Sequence, residues 1–132
     1  LCGNADFIAR ARKYRKMLGG GMRQTGVLAA AGIIAIQEMT KRLAEDHENA
    51  KLLAGLLNDL PGVTVDLDAV QVNMVFADFD WSDLAEVKPW MAEHGAIVGD
   101  PDGRTLRFLT NNDVNADDCR RLVDLLAEFR TR

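Results

Sequence analysis

Two places in this 132-residue chain combine residue types that could handle an anion. The first is Lys16 with the run Gly19-Gly20-Gly21-Met22-Arg23. Exposed backbone N–H groups and a guanidinium both seek phosphate or carboxylate, so such a loop can contact either. From pattern alone the simpler reading, a flexible loop with a solvated Arg, stays open beside it. The second is Arg107, which alternates with Thr105 and Leu109, opposite Leu106 and Phe108. An Arg in mid-strand is ordinarily on the solvated face. Its planar fork can also clamp a carboxylate at two points, and both readings stand at this level. The other reactive side chains, His47, His94, Cys2 and Cys119, lack the spacing of metal ligands, so no catalytic metal is expected. His47 reads as a surface or partly buried helix residue, His94 as a helix end beside Gly95, and Trp81 and Trp90 as packing residues.

The elements that must position these residues follow from hydrophobic period. Asp6 to Leu18 reads as a helix with Phe7, Ile8, Ala11 and Tyr14 or Leu18 on one face and a basic remainder, Arg10 to Lys16. The glycine triplet stops it. A second helix opens near Gln24 or Thr25 and runs to about Met39. Its stretch Val27–Ile36 is apolar all round, which predicts burial on all sides, partly against material outside this chain. A third helix is predicted from Thr40 to Leu60, with Leu43, Ala50, Leu53, Leu57 and Leu60 as its stripe and His47 on the same side. Glu45, Asp46, Glu48 and Lys51 are expected to face water, and Pro61-Gly62 ends the helix.

The period then changes. Val63–Val65 reads as a strand, and Val72, Met74 and Phe76 alternate with Gln71, Asn73 and Val75 in another. Asp83 to His94 is an amphipathic helix that Pro89 should start or kink. Ala96–Val98 reads as a strand, joined through the turn Asp100-Pro101-Asp102-Gly103 to a strand Thr105–Thr110. Asn115 caps a last helix, with Cys119, Leu122, Val123, Leu126 and Phe129 inside. The order ββαββα with a tight hairpin predicts an α/β (α+β) fold. Its sheet is small, largely antiparallel and covered by helices on one face.

Composition excludes several classes. With 48% hydrophobic and 27% charged residues the chain is globular, and its length suits one core. A net charge of -4 argues against nucleic acid or an anionic membrane as partner, and the basic helix Arg10–Lys16 alone does not reverse that. The longest apolar run, Val27 to Ile36, is half of the about 20 residues that a membrane span needs. Two cysteines make no disulfide framework, which points to a reduced, cytoplasmic setting. Leu1-Cys2-Gly3 offers neither an initiator Met nor a basic signal region, so the chain reads as starting in mid-sequence.

The segment Arg15-Lys16-Met17-Leu18-Gly19-Gly20-Gly21-Met22-Arg23-Gln24, continued by Gly26-Val27-Leu28-Ala29-Ala30-Ala31-Gly32, resembles a signature of the low-specificity L-threonine aldolases. The likeness extends to Asp6–Arg12, Leu43–Ala50, Asn73-Met74-Val75 and Leu106–Thr110, in the family's order and over nearly the whole chain. It implies an enzyme of the aspartate-aminotransferase-like fold that uses pyridoxal 5'-phosphate (PLP). The PLP domain would be large, and its Schiff-base lysine would precede Leu1. No catalytic residue is then expected in this chain, and neither Lys13 nor Lys16 takes that role. Residues 1–39 would be the end of the large domain and its linking helices with the glycine loop, and residues 40–132 a small C-terminal α/β domain. The resemblance further implies cleavage of L-threonine or L-allo-threonine to glycine and acetaldehyde by a homo-oligomer, a dimer or tetramer. Arg107 would grip the substrate α-carboxylate, and Lys16 and Arg23 would sit near the cofactor phosphate. Asn111-Asn112 stands where many relatives have a His and a basic residue, so no role is carried to those positions. Another PLP-dependent 3-hydroxy-amino-acid aldolase, or a non-catalytic dimerisation domain, is the alternative.

Overall fold

Local signals set where each helix begins and ends. The computed structural model describes residues 1–132, in two units, Leu1–Thr40 and Lys41–Arg132. In the first, α1 spans Ala5–Met17, and its Asn4 cap accepts the Phe7 N–H. The helix ends in a Schellman motif. Gly20 N–H reaches Arg15 O at 2.8 Å, Gly19 N–H reaches Lys16 O at 3.3 Å, and Gly19 takes φ +84°. α2 spans Gly26–Gln37 and buries no residue. The sequence predicted burial on all sides, but this chain supplies no cover for it. Leu28 is 62% exposed and Ile33 54%.

In the second unit, α3 (Leu43–Asn58) leads into β1 (Val63–Val65) and β2 (Met74–Phe79). α4 (Leu84–Glu93), β3 (Thr105–Leu109) and α5 (Ala116–Thr131) follow. The sheet is antiparallel throughout, in the order β1-β2-β3. Period-2 alternation puts Val63, Val65, Val75, Ala77, Phe79, Leu106 and Phe108 on one face. That face meets Ala50, Leu53, Ala54 and Leu57 of α3 and Cys119, Val123, Leu126 and Phe129 of α5. The expected antiparallel sheet with helices on one face is present, and the opposite face is open.

The structure departs from the sequence expectations at several points. Ala96–Val98 forms no strand, so the order is ββαβα, and the hairpin is reduced to a single bridge, Asp102↔Thr105. In β2 the core-facing set is Val75, Ala77 and Phe79, while Phe76 stands 55% exposed on the open face. The strand starts at Met74 rather than in the Gln71–Asn73 stretch. α3 begins at Leu43 after a 3-10 turn, and Leu43 is exposed. Asp46 is 8% exposed rather than facing water, because i, i+4 spacing puts it on the Ala50 face. Its backbone carbonyl accepts the buried Thr110 hydroxyl at 2.6 Å, which ties α3 to the end of β3. Pro89 lies inside α4, as read from the sequence, and does not start it.

Candidate functional site

Arg107 is placed by strand alternation. Leu106 and Phe108 go into the core, so Arg107 must project from the other face, directly opposite Phe76 of β2. It makes no ion pair and no side-chain hydrogen bond, unlike Arg104, Arg121 and Arg130 of the same unit. It lines a groove of about 280 Å³ between β3, the irregular stretch Gly95–Gly99 and the start of α5. Ile97, Leu109, Cys119 and Leu122 supply apolar wall. The α5 side of that groove lies on the helix-covered face, so Arg107 borders it along the edge of β3. Its guanidinium stands on the open face, with its donors free for a carboxylate there.

The start of β3 is held electrostatically. The Thr105 hydroxyl and the Arg104 guanidinium both donate to the Asp78 carboxylate across the ladder. The Thr105 contact first, then the Arg104 contact, keep that carboxyl below its ordinary pKa. α5, which closes the groove, is fixed by a capping box. Asn115 Oδ1 accepts from Asp117 N–H and Asp118 N–H, and Asp118 Oδ2 accepts from Asn115 N–H. Cys119 on this helix is buried, and burial pushes its thiol up, so it is no nucleophile at neutral pH.

In the other unit, the Lys16 side chain lies across Gly21. A Cβ built there would come within 2.6 Å of Lys16 Nζ and 2.5 Å of its Cδ, so a larger residue would displace the exposed lysine end from this backbone. Arg23 is exposed and unpaired, and the next residue, Gln24, is held at φ +52°, a conformation that costs a non-glycine residue about 1–2 kcal/mol. Thr25 then starts α2 with no side-chain cap, which leaves the first helical N–H groups without a protein side chain. Glycine backbone, an ammonium, a guanidinium and an uncapped helix start are therefore contiguous in sequence. Arg107 belongs to the other unit.

The remaining residues singled out by type are structural. His94 ends α4, stacks on Trp90 with centroids 3.8 Å apart, and pairs Nδ1 with Trp90 O. His47 is half-buried on α3. Trp81 packs edge-on to Phe79 and donates to Pro61 O at 3.0 Å. Sequence reasoning did not find the Gly95–Gly99 wall of the groove or the Asp78 contacts that fix β3. The closely spaced glycines Gly95, Gly99 and Gly103 were the available signal for an irregular stretch.

Each unit thus carries its own unpaired cation: Arg107 on the open face of an antiparallel sheet in the second, and Lys16 and Arg23 around a glycine loop in the first. Residues 1–80 match the family model described as beta-eliminating lyase, and the chain belongs to that family. It is similar to low-specificity L-threonine aldolase 1 of Arabidopsis thaliana, 38% identical over 121 residues, covering 89% of this chain and 34% of that protein. Low specificity L-threonine aldolase of Escherichia coli (strain K12) is 35% identical over 130 residues, covering 98% and 37%. The chain thus spans about a third of the length of the curated relatives it matches. Among solved structures, L-threonine-O-3-phosphate decarboxylase from Porphyromonas gingivalis superposes with a TM-score of 0.64 at 20% identity, over 78% of this chain and 33% of that one. DesI, solved with its TDP-sugar product, gives 0.60 at 22% identity over 79% and 35%. These two share the fold.

Proposed function

We propose that the chain is the C-terminal part of a PLP-dependent carbon–carbon lyase that cleaves L-threonine or L-allo-threonine to glycine and acetaldehyde. The observation that carries this reading is the unpaired Arg107 on the open face of β3, in a chain whose relatives are named low-specificity L-threonine aldolase. Arg107 binds the α-carboxylate through two parallel N–H···O contacts and so sets the orientation of the Cα–Cβ bond that breaks.

Lys16 and Arg23 fit a phosphate group. The ammonium already lies against the Gly21 backbone, and Arg23 has no competing partner. They would hold the phosphate end of PLP, whose ring withdraws electrons from Cα when it is bound. The lysine that carries the cofactor, and the groups that move the β-hydroxyl proton, belong to the N-terminal large domain of the parent. Residues 1–39 are read as the end of that domain with its linking helices, and residues 40–132 as the small domain. The exposed apolar surface of α2 supports a homo-oligomer, a dimer or tetramer. The free, unbridged cysteines are consistent with a cytoplasmic enzyme, and no helix is long and apolar enough to cross a membrane.

The test is an assay of the full-length parent, purified with PLP, for glycine and acetaldehyde from L-threonine. Stoichiometric formation of both is the expected result. No turnover of any β-hydroxy-α-amino acid, with the PLP absorbance band intact, would overturn the reading. Residues 1–132 alone should release no acetaldehyde, and as an isolated chain they act as a docking and dimerisation domain.

A further inference from the structure

The hairpin that should follow Val98 begins in this structure and stops after one pair. Asp102 and Thr105 exchange both backbone hydrogen bonds, at 2.9 and 3.0 Å. Between them Gly103 takes φ +60° and Arg104 does not take a positive φ, the pattern of a type II′ turn. That turn matches the twist of paired strands and propagates a hairpin readily. Its register is fixed: the next hydrogen-bonded pairs would be Asp100↔Arg107 and Val98↔Leu109. Pro101 does not obstruct it, since its missing N–H falls on the side away from β3.

The groups that would pair are free. On β3, Arg104 O and Thr110 N–H point to β2, so by alternation the N–H and C=O of Arg107 and Leu109 point away from it, and they find no backbone partner. On the other side, the N–H groups of Ile97, Val98, Gly99 and Asp100 make no backbone hydrogen bond. Both rows, as far as Gly99 on one side and Leu109 on the other, line the same groove. The stretch is bounded by Gly95 at φ +78° and by Gly99, where an added Cβ would touch nothing within 4 Å.

Side-chain phase explains why the strand is not formed. Here Val98 is buried and Ile97 is 96% exposed. The register set by the turn reverses this. Ile97 would turn toward the apolar groove walls Leu53, Leu122 and Leu125, while Val98 would join Leu109 on the open face. Closure thus exchanges one buried branched side chain for another and gains four backbone hydrogen bonds. That is the balance expected of a two-state element.

We propose that Gly95–Asp100 is a strap that zips onto the outer edge of β3 and thereby sets Asp100 against Arg107, as an intramolecular competitor for the anion that Arg107 binds. Directly opposed residues in a ladder share a face, so the Asp100 carboxylate would stand beside the guanidinium on the open side of the sheet. In the open state Asp100 is held elsewhere, by Lys88 Nζ at 2.6 Å. Lys88 is therefore the latch that keeps the site available. The inference rests on Arg107 being the carboxylate anchor.

The experiment uses the full-length parent loaded with PLP, in three single variants and one double. Lys88→Met frees Asp100 and should raise KM for L-threonine about two- to fivefold at unchanged kcat, as loss of an exposed ion pair allows. Asp100→Asn should lower KM or leave it unchanged, and in the double variant should abolish the effect of Lys88→Met. Glycine at saturation should speed amide exchange at Arg107 and Leu109 by holding the strap open. If Lys88→Met leaves KM unchanged, or its effect persists with Asn at position 100, the strap is wrong. Should Arg107→Lys still raise KM in that case, the anchor role survives. If Arg107→Lys also leaves KM unchanged, the anchor and the strap fall together.

Discussion

Arg107, Asp78 and Cys119 have environments that make distinct predictions. Asp78 has a carboxyl held below its ordinary value of 3.8 by Thr105 and Arg104. A value lowered in the folded state means that its contribution is present above pH 3.8 and lost as pH falls through the folded value. Asp78→Asn should therefore lower the melting temperature at neutral pH, where the contribution is present, and flatten the acid limb below pH 3.8, where it is lost in the unsubstituted protein as well. An acid limb identical to the unsubstituted protein would contradict the assignment. Cys119 is shielded and its thiol is raised by burial, whereas Cys2 is exposed. Iodoacetamide under native conditions should label Cys2 within minutes and spare Cys119, with both labelled after denaturation. Peptide mapping by mass spectrometry reads this directly, and equal native labelling would be the contrary result.

At the scale of elements, the second unit depends on its α3–sheet–α5 sandwich. Phe129 is almost wholly buried and touches Trp81 and Trp90 at centroid distances of 6.0 and 5.6 Å. Phe129→Ala should cost about 3–5 kcal/mol of stability in urea unfolding, the range for a large buried aromatic. Asn115→Ala removes a two-way cap and should cost about 0.5–2 kcal/mol. A loss below 1 kcal/mol for Phe129→Ala would mean that α5 packs less tightly than its burial indicates. These elements were legible because each carries a clean period and an explicit stop: Asn115 before α5, Pro61-Gly62 after α3, alternation at Leu106–Leu109. The strand at Ala96–Val98 was not, because its best apolar phase buries Val98 while the turn register asks for Ile97. In β2 three consecutive apolar residues, Met74-Val75-Phe76, hide which face is inward, and only the ladder with β1 and β3 decides it. Asp46 was misread for a related reason. The i, i+4 spacing to Ala50 puts it on the buried face, but its residue type led to a water-facing assignment.

At the scale of the whole molecule, α2 carries the information that the chain alone does not use. A helix apolar on every side and buried on none is unsuited to water, and its residues Leu28, Ile33 and Ile34 are at least half exposed. In the full-length parent, Leu28→Ser with Ile33→Ser should shift the assembly to smaller species or lower its melting temperature. Each lost apolar side chain is worth about 1.5–3 kcal/mol if it is covered there. Sedimentation velocity with unchanged mass and an unchanged melting temperature would mean that this surface stays exposed in the parent as well. Lys16 and Arg23 were legible only as an anion-seeking pattern, and the close fit of Lys16 over Gly21 needed coordinates. The central claim concerns Arg107, and the most direct measurement is kcat/KM for L-threonine in the full-length enzyme carrying Arg107→Lys, with melting temperature beside it. Lys keeps the charge and loses the two-point fork, so kcat/KM should fall by about ten- to a hundredfold, the equivalent of a charge-assisted contact of about 1.5–3 kcal/mol, with the fold unaffected. An unchanged kcat/KM in a well-folded variant would return Arg107 to the ordinary solvated face of an antiparallel sheet.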